Sequence, residues 1–278
     1  MRFTIVTPCY NAEQYISETM RSVLEQTALR TGRSSLQYII ADGGSKDGTV
    51  GIAEECAKKS GIDVEIISEP DRGMYDALVK GLKRATGDVC AYLNAGDLYS
   101  TCAFDILEDV FAAHPVRWVT GMQIAYNESG HLVEARMPFR YRRRLIDCGL
   151  YYAPFLHYIQ QESTFWHHDL NQYIDLEKLV TYRLAGDFFL WRTFAQHADL
   201  VIVKAHLGGF RVHHGQQSAS IERYLAEFHS IARPPTPVDW MIGLFDKVAR
   251  NSPARIRNRL NQGAILSYDH FTGTWQYQ

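Results

Sequence analysis

The run Phe3-Thr4-Ile5-Val6-Thr7, continued by Pro8-Cys9-Tyr10-Asn11 and then by Ile16, Met20, Val23 and Leu24 at helical spacing, decides the fold. A short apolar, β-branched run that ends in a polar turn and passes into a 3.6-residue period reads as strand, turn, helix. Asn11, with Gln14 three residues on, has the pattern of a capping box opening that helix. The unit then recurs. Gln37 to Ala41 predicts a second strand, and after the glycine-rich turn 42–48 a second helix carries Ile52, Ala53 and Cys56. Val64 to Ser68, Met74 to Ala85, Val89 to Leu93 and a helix with Ala103, Leu107, Val110 and Phe111 on one face complete the series. Strands alternating with helices at this spacing need right-handed crossovers and a mainly parallel sheet, a doubly wound α/β fold.

Beyond residue 115 the pattern changes. Trp118-Val119-Thr120 and Leu132-Val133-Glu134 flank the turn-forming Asn127-Glu128-Ser129-Gly130, which predicts an antiparallel hairpin and a mixed sheet edge. Arg140, Arg142, Arg143 and Arg144 follow in a predicted loop, open to two readings: a solvated loop or a contact with an acceptor phosphate. A helix is expected over about 184–197 and a strand over Val201 to Leu207. Pro234-Pro235-Thr236-Pro237 then breaks the chain. These shifts suggest a domain over 1–233, with halves 1–115 and 116–233, and a C-terminal extension over 234–278.

Composition bounds the function. The 278 residues are 46% apolar and 22% charged, as in a soluble globular protein, and 29 Lys+Arg against 31 Asp+Glu leave a net charge of −2. No global basic field exists to hold nucleic acid by counterion release. Cys9, Cys56, Cys90, Cys102 and Cys148 are odd in number and scattered, which reads as buried small hydrophobes in a reducing compartment. The chain begins directly with a strand-like run, and no segment reaches the ~18 apolar residues of a membrane span. A cytoplasmic protein is expected, at most peripheral on the inner face of the cell membrane.

In an open parallel sheet, ligands sit beyond the carboxyl ends of the strands. Those positions here are Pro8, Tyr10 and Asn11; Asp42-Gly43-Gly44-Ser45-Lys46-Asp47-Gly48-Thr49; Glu69-Pro70-Asp71-Arg72-Gly73; and Asn94-Ala95-Gly96-Asp97. Any one of them alone reads equally well as a plain turn or helix cap. Neither GxGxxG nor a Walker lysine motif is present, which disfavours hydride transfer and P-loop chemistry. A divalent ion on an aspartate would substitute for them, since Mg²⁺ or Mn²⁺ prefers one or two carboxylates plus phosphate oxygens. Asp97 is the obvious ligand.

Thr7-Pro8-Cys9-Tyr10-Asn11, Ala41 to Thr49, Glu69 to Ala77 and Leu93 to Asp97 together resemble a family 2 glycosyltransferase of the GT-A fold, of the kind that assembles bacterial cell-surface polysaccharide. The likeness is dense over the first hundred residues or so. It thins to Gln161-Glu162-Ser163-Thr164-Phe165 and Leu184 to Trp191. The resemblance implies that Thr7, Pro8 and Tyr10 line the nucleobase and that Asp42 bonds its edge. It puts Arg72 near the nucleotide, with Asn94, Ala95 and Gly96 beside the donor. Asp97 matches the last acid of the DxD motif, for Mn²⁺ or Mg²⁺ and the diphosphate, and Asp187 matches the base that deprotonates the acceptor hydroxyl.

The sequence departs from the family at Gly96, where many members carry the other DxD acid, and at Val79, where Asn is frequent. The expected activity is transfer, with inversion, from a nucleotide-sugar donor, a UDP-sugar, to a glycan or lipid-linked acceptor. A sugar-nucleotide pyrophosphorylase is the alternative enzyme, disfavoured because the first loop lacks a glycine-rich, basic segment. A non-catalytic nucleotide-sugar-binding protein is the other alternative, suggested by Gly96. Asp187 has a bland reading too, as a helix cap. Arg211, His213 and His214 form a late polar knot that reads as a surface loop or as contacts to diphosphate or metal. Finally, 240–260 combines Trp240, Met241, Ile242, Leu244 and Phe245 with Lys247, Arg250, Arg255, Arg257 and Arg259, with no acid between Asp246 and Asp269. That suits an interfacial helix on an anionic membrane surface, the alternatives being a helix packed on the body or one pairing two subunits as a homodimer.

Overall fold

The computed structural model describes residues 1–152, 155–212 and 221–278, with the backbone alone described at 221. The first half runs β1 (Arg2–Cys9), α1 (Ile16–Leu24), α2 (Thr27–Arg30), β2 (Ser35–Asp42), α3 (Thr49–Ser60), β3 (Val64–Ser68), α4 (Met74–Leu82), β4 (Val89–Tyr92), β5 (Leu98–Tyr99) and α5 (Ala103–Ala113). The second half contributes β6 (Trp118–Thr120), β7 (Gln123–Tyr126), β8 (Leu132–Arg136), α6 (Arg143–Asp147), β9 (Thr164–His167), α7 (Leu176–Leu179), α8 (Gly186–Ala195), β10 (Leu200–Val203), β11 (Gly208–Arg211) and α9 (Ile221–Ile231). The chain ends with α10 (Pro237–Arg250), α11 (Ala254–Leu260), β12 (Ile265–Asp269) and β13 (Thr274–Tyr277).

Among the described residues the main sheet has nine strands in the order β13-β12-β10-β6-β9-β4-β1-β2-β3. It is the mainly parallel, mixed, doubly wound sheet that the alternation predicted, with β9 and β13 running against the rest. Strand β1, between β4 and β2, is buried on both faces, so its apolar run is unbroken. Gly81 lets α4 lie close on it: a Cβ there would come 2.4 Å from Val6 Cγ1. A second sheet, β5-β11-β7-β8, lies at the end of β4.

Several elements differ from the sequence expectation. The hairpin exists, but Leu132–Arg136 pairs with Gln123–Tyr126, whereas Trp118–Thr120 lies inside the main sheet between β9 and β10. Short apolar strands carry no label of their partner. Asn11 caps no helix: it has φ 48°, its Oδ1 accepts from the Lys46 N–H at 2.9 Å, and α1 starts only at Ile16. Cys102 is exposed and Cys56 half-buried, so only Cys9, Cys90 and Cys148 fit the small-hydrophobe reading. The C-terminal segment adds the expected helices and also two strands, β12 pairing in parallel with β10.

The arginine run is not a plain solvated loop: Arg143 opens α6, and Arg142, Arg143 and Arg144 have partners within the fold. Arg142 forms a two-pronged pair with Asp246 at 2.7 and 2.9 Å. Arg143 donates to the carbonyls of Ala195 and Gln196 at the C-terminus of α8, and Arg144 pairs with Asp239. Asp239 and Asp246 are 0% and 1% exposed, so α10 is bound to the body through its acids. Removing a guanidinium from such a pair leaves a buried carboxylate without its cation. Arg142→Ala should therefore lower stability by about 3 kcal/mol, the low end for buried pairs, read as a shift in the urea midpoint at constant m-value.

Candidate active site

The acids that gather are Asp97, Glu162 and Asp187. β4 ends at Tyr92, and the following turn folds back through a 3.0 Å bond from the Asp97 N–H to the Asn94 carbonyl. Gly96, at φ 122°, occupies a conformation that favours glycine, and its N–H donates to Thr19 Oγ1 at 2.9 Å. β5 follows at once and pairs with β11, so the chain returning at Arg211 passes directly over the turn. The Arg211 N–H donates to Asp97 Oδ1 at 2.9 Å, while its buried guanidinium pairs with Glu18 and lies 5.4 Å from the Tyr15 ring centre.

Glu162 stands in a 3-10 turn, Gln161–Ser163, just before β9, the strand beside β4. It is buried, and it feels the negative charges of both Asp97 and Asp187. The same turn is tied to the Asp97 loop by Asn94 Nδ2 donating to Gln161 Oε1 at 3.1 Å. Burial pushes the Asp97 carboxyl up, against the Arg211 N–H and Asn94, which favour its charged form. Glu162 is pushed up by burial first and by Asp97 second. Two buried acids with raised pKa values and few donors suit a hard divalent cation, which would compensate both. No group of three His, Cys, Asp or Glu side chains able to hold a metal occurs among the described residues, so such a cation would need ligand oxygens from elsewhere.

Asp187 stands in the first turn of α8, a helix fixed by aromatic packing rather than a loop. Trp191 stacks on Trp118 at 5.9 Å between centroids, and Phe194 meets Trp118 edge-on at 5.6 Å and Trp166 at 5.4 Å. The segment entering α8 is held at two further points. The Tyr75 hydroxyl donates to the Leu184 carbonyl at 3.1 Å and accepts from the Asp187 N–H at 3.0 Å. The Glu227 carboxylate, from α9, accepts from the N–H groups of Arg183, Leu184 and Ala185 at 2.7, 2.6 and 2.6 Å. The N-cap of α8 is Ala185, so Asp187 does not cap the helix; its Oδ1 accepts from the adjacent Phe188 N–H at 2.7 Å. Burial pushes the Asp187 pKa up to about 6.

Of the other residues singled out from sequence, Asp42, Thr7 and Arg72 have local partners of their own. Asp42 accepts from the Gly44 and Ser45 N–H groups at 3.0 Å each, from Ser68 Oγ at 2.7 Å and from Ser45 Oγ. Burial raises its pKa, but these donors outweigh it and hold the carboxylate below its ordinary range. Thr7 is buried with its hydroxyl 3.0 Å from that of Tyr38, Pro8 is buried, and Tyr10 is exposed. Arg72 pairs with Asp76 at 3.1 Å and is largely in water. His213 and His214 lie outside the described residues. Sequence reasoning gave no role to Glu162, Tyr75 or Glu227; a buried acid amid Gln160, Gln161 and Ser163 was the available signal.

An open, mainly parallel sheet with acids beyond its carboxyl edge is the arrangement in which such folds bind ligands, and comparison with known proteins identifies the family. Residues 4–179 match the model of glycosyl transferase family 2, and the chain belongs to that family. A minor teichoic acid biosynthesis protein of Bacillus subtilis is 30% identical over 112 residues, 40% of this chain and 12% of that protein. A PGL/p-HBAD biosynthesis glycosyltransferase of Mycobacterium bovis is 32% identical over 95 residues, 34% of this chain and 35% of that protein. An uncharacterized Nostoc glycosyltransferase is 27% identical over 116 residues, and the chain covers 34% of its length. This chain thus spans about a third or less of these relatives. In fold, it resembles S. aureus TarS in complex with UDP-GlcNAc, with TM-score 0.60, 16% identity and coverage of 94% of this chain and 84% of that one. It also resembles a Pyrobaculum calidifontis mannosyltransferase in complex with GDP-Man and Mn²⁺, with TM-score 0.55, 17% identity and coverage of 93% and 74%.

Tyr75→Phe keeps the ring that packs against Gly186 but removes both hydroxyl bonds to the entry of α8. It should cost about 1–2 kcal/mol of stability in urea denaturation. An unchanged midpoint would show that Tyr75 does not hold this segment.

Proposed function

We propose that the protein is a metal-dependent, inverting glycosyltransferase that moves a sugar from a UDP-sugar to a hydroxyl of a glycan or lipid-linked acceptor in cell-surface polysaccharide assembly, with Asp187 as its base. One observation carries this reading: Asp187 stands in the first turn of α8, in a segment held by the Tyr75 hydroxyl, with the buried Asp97 and Glu162 gathered nearby, and burial pushes its pKa up to about 6. A base for a hydroxyl works best with a pKa near the working pH. The UDP-GlcNAc complex of a protein of like fold supports the donor class, and the relatives named for teichoic acid and PGL/p-HBAD biosynthesis support the acceptor class.

In the proposed step the acceptor oxygen gives its proton to an Asp187 carboxylate oxygen and forms the new bond to the anomeric carbon. The bond from that carbon to the diphosphate oxygen breaks with its electron pair going to the leaving group. Attack opposite the leaving group inverts the centre. Mn²⁺ or Mg²⁺ held through Asp97, with Glu162 in electrostatic reach, would neutralise charge developing on the diphosphate. Arg211 fixes Asp97 through its backbone N–H.

The test is turnover of a panel of nucleotide sugars with Mn²⁺ or with a chelator. A UDP-sugar should be consumed only with metal, and Asp187→Asn should lower kcat by about 10²-fold or more with UDP still stabilising the fold. Near-wild-type turnover in Asp187→Asn would remove the base assignment, and formation of a nucleoside triphosphate from pyrophosphate would make the protein a pyrophosphorylase instead. Because Asp187 must be ionised to accept the proton, kcat/KM should rise with pH and level off above about pH 6. A flat acid limb through that region would contradict the assignment.

A further inference from the structure

Helix α10 is amphipathic in the reverse sense for a helix packed on a protein body. Its buried positions are Asp239, Gly243, Asp246 and Ala249. Its outward positions include Met241, Leu244, Phe245 and Val248, which are 64%, 53%, 51% and 72% exposed. These four fall at i, i+3, i+4 and i+7 and so form one stripe. The acids point inward because Arg142, Arg144 and Arg233 wait there, Arg233 meeting Asp239 at 3.0 Å. Trp240, partly exposed, flanks the stripe with its ring edge-on to Phe155 at 5.2 Å. The next helix, α11, buries none of its residues and presents Ile256 between Arg255 and Arg257, with Arg259 beyond.

Among the described residues of α10 and α11 both acids are buried in ion pairs, so the charge these helices offer outward is positive, from the exposed Arg255, Arg257 and Arg259 and the half-buried Lys247 and Arg250. We propose that α10 and α11 form a docking face for an anionic lipid bilayer, the Met241–Leu244–Phe245–Val248 stripe entering the headgroup boundary and the α11 arginines meeting lipid phosphates. An apolar stripe plus a polybasic flank supplies the two signals that stable interfacial binding needs. A second copy is the poorer occupant, because an isologous contact would set these cations against their own counterparts. The docking face stands on geometry of its own and does not rest on the transfer reaction.

The test is flotation of the full chain with vesicles of phosphatidylcholine alone or mixed with phosphatidylglycerol. Binding should require phosphatidylglycerol, fall at high salt, and drop at least about tenfold when Met241, Leu244, Phe245 and Val248 are changed together to Ser. These side chains face water, so the variant should keep its melting midpoint. Arg255→Gln with Arg257→Gln and Arg259→Gln, all on exposed positions, should each contribute about a fivefold loss. Undiminished vesicle binding by either variant, or equal binding to phosphatidylcholine alone, would overturn the proposal. So would a concentration-dependent dimer in sedimentation that the Ser variant abolishes without any vesicle binding.

Discussion

A carboxylate taken out of water must find donors or cations, and the way this chain compensates its buried acids organises the rest of the structure. Among the described residues five Asp and Glu side chains are buried: Asp42, Asp97, Glu162, Asp239 and Asp246. Asp42 is surrounded by hydroxyl and N–H donors that close its own loop and lower its pKa despite burial. Asp239 and Asp246 take guanidinium partners and thereby attach the C-terminal helix. Asp97 and Glu162 differ: neighbouring acids face each other with few donors, and burial outweighs what stabilisation they have. Raised pKa values of this kind, from burial and a neighbouring like charge, are the perturbation typical of functional sites.

The same accounting shows what could be read from the sequence. The first half was legible because its information is local: each strand's apolar run and each helix's period lie within a dozen residues, and β1 to β4 appear where the alternation put them. The acids at strand ends were legible for the same reason, since topology alone sends them to one edge. The arginines were not. Arg142 and Asp246 are 104 residues apart, and a basic run carries no mark of a counterion that distant. Glu162 was opaque in a related way, since its importance comes from β9 lying beside β4, an antiparallel neighbour that no periodicity announces.

Local reading also could not separate a capping aspartate from a base at Asp187, because both stand at a helix start. The structure narrows this: the N-cap residue is Ala185, and Asp187, in the first turn, accepts from the adjacent Phe188 N–H through Oδ1. Glu227 of α9 accepts from the N–H groups of Arg183, Leu184 and Ala185 and so fixes the segment that leads into α8. The raised pKa of Asp187 reflects burial that hydrogen bonding does not fully offset.

Asp147 links the two ends of the molecule. It accepts from Arg192 of α8 at 2.9 Å and from Arg233 at 2.7 Å, and Arg233 continues to Asp239 of α10. Arg143, one residue from the Arg142 that holds Asp246, meets the C-terminal carbonyls of α8. The helix that carries the proposed base and the helix that carries the exposed apolar stripe are therefore attached to one network of charges on α6. A rotation of α10 relative to α8 would have to break several partly buried ion pairs together, each expensive once its partner is left behind. A surface touching the stripe would consequently meet α10 in an orientation that these pairs hold fixed relative to α8.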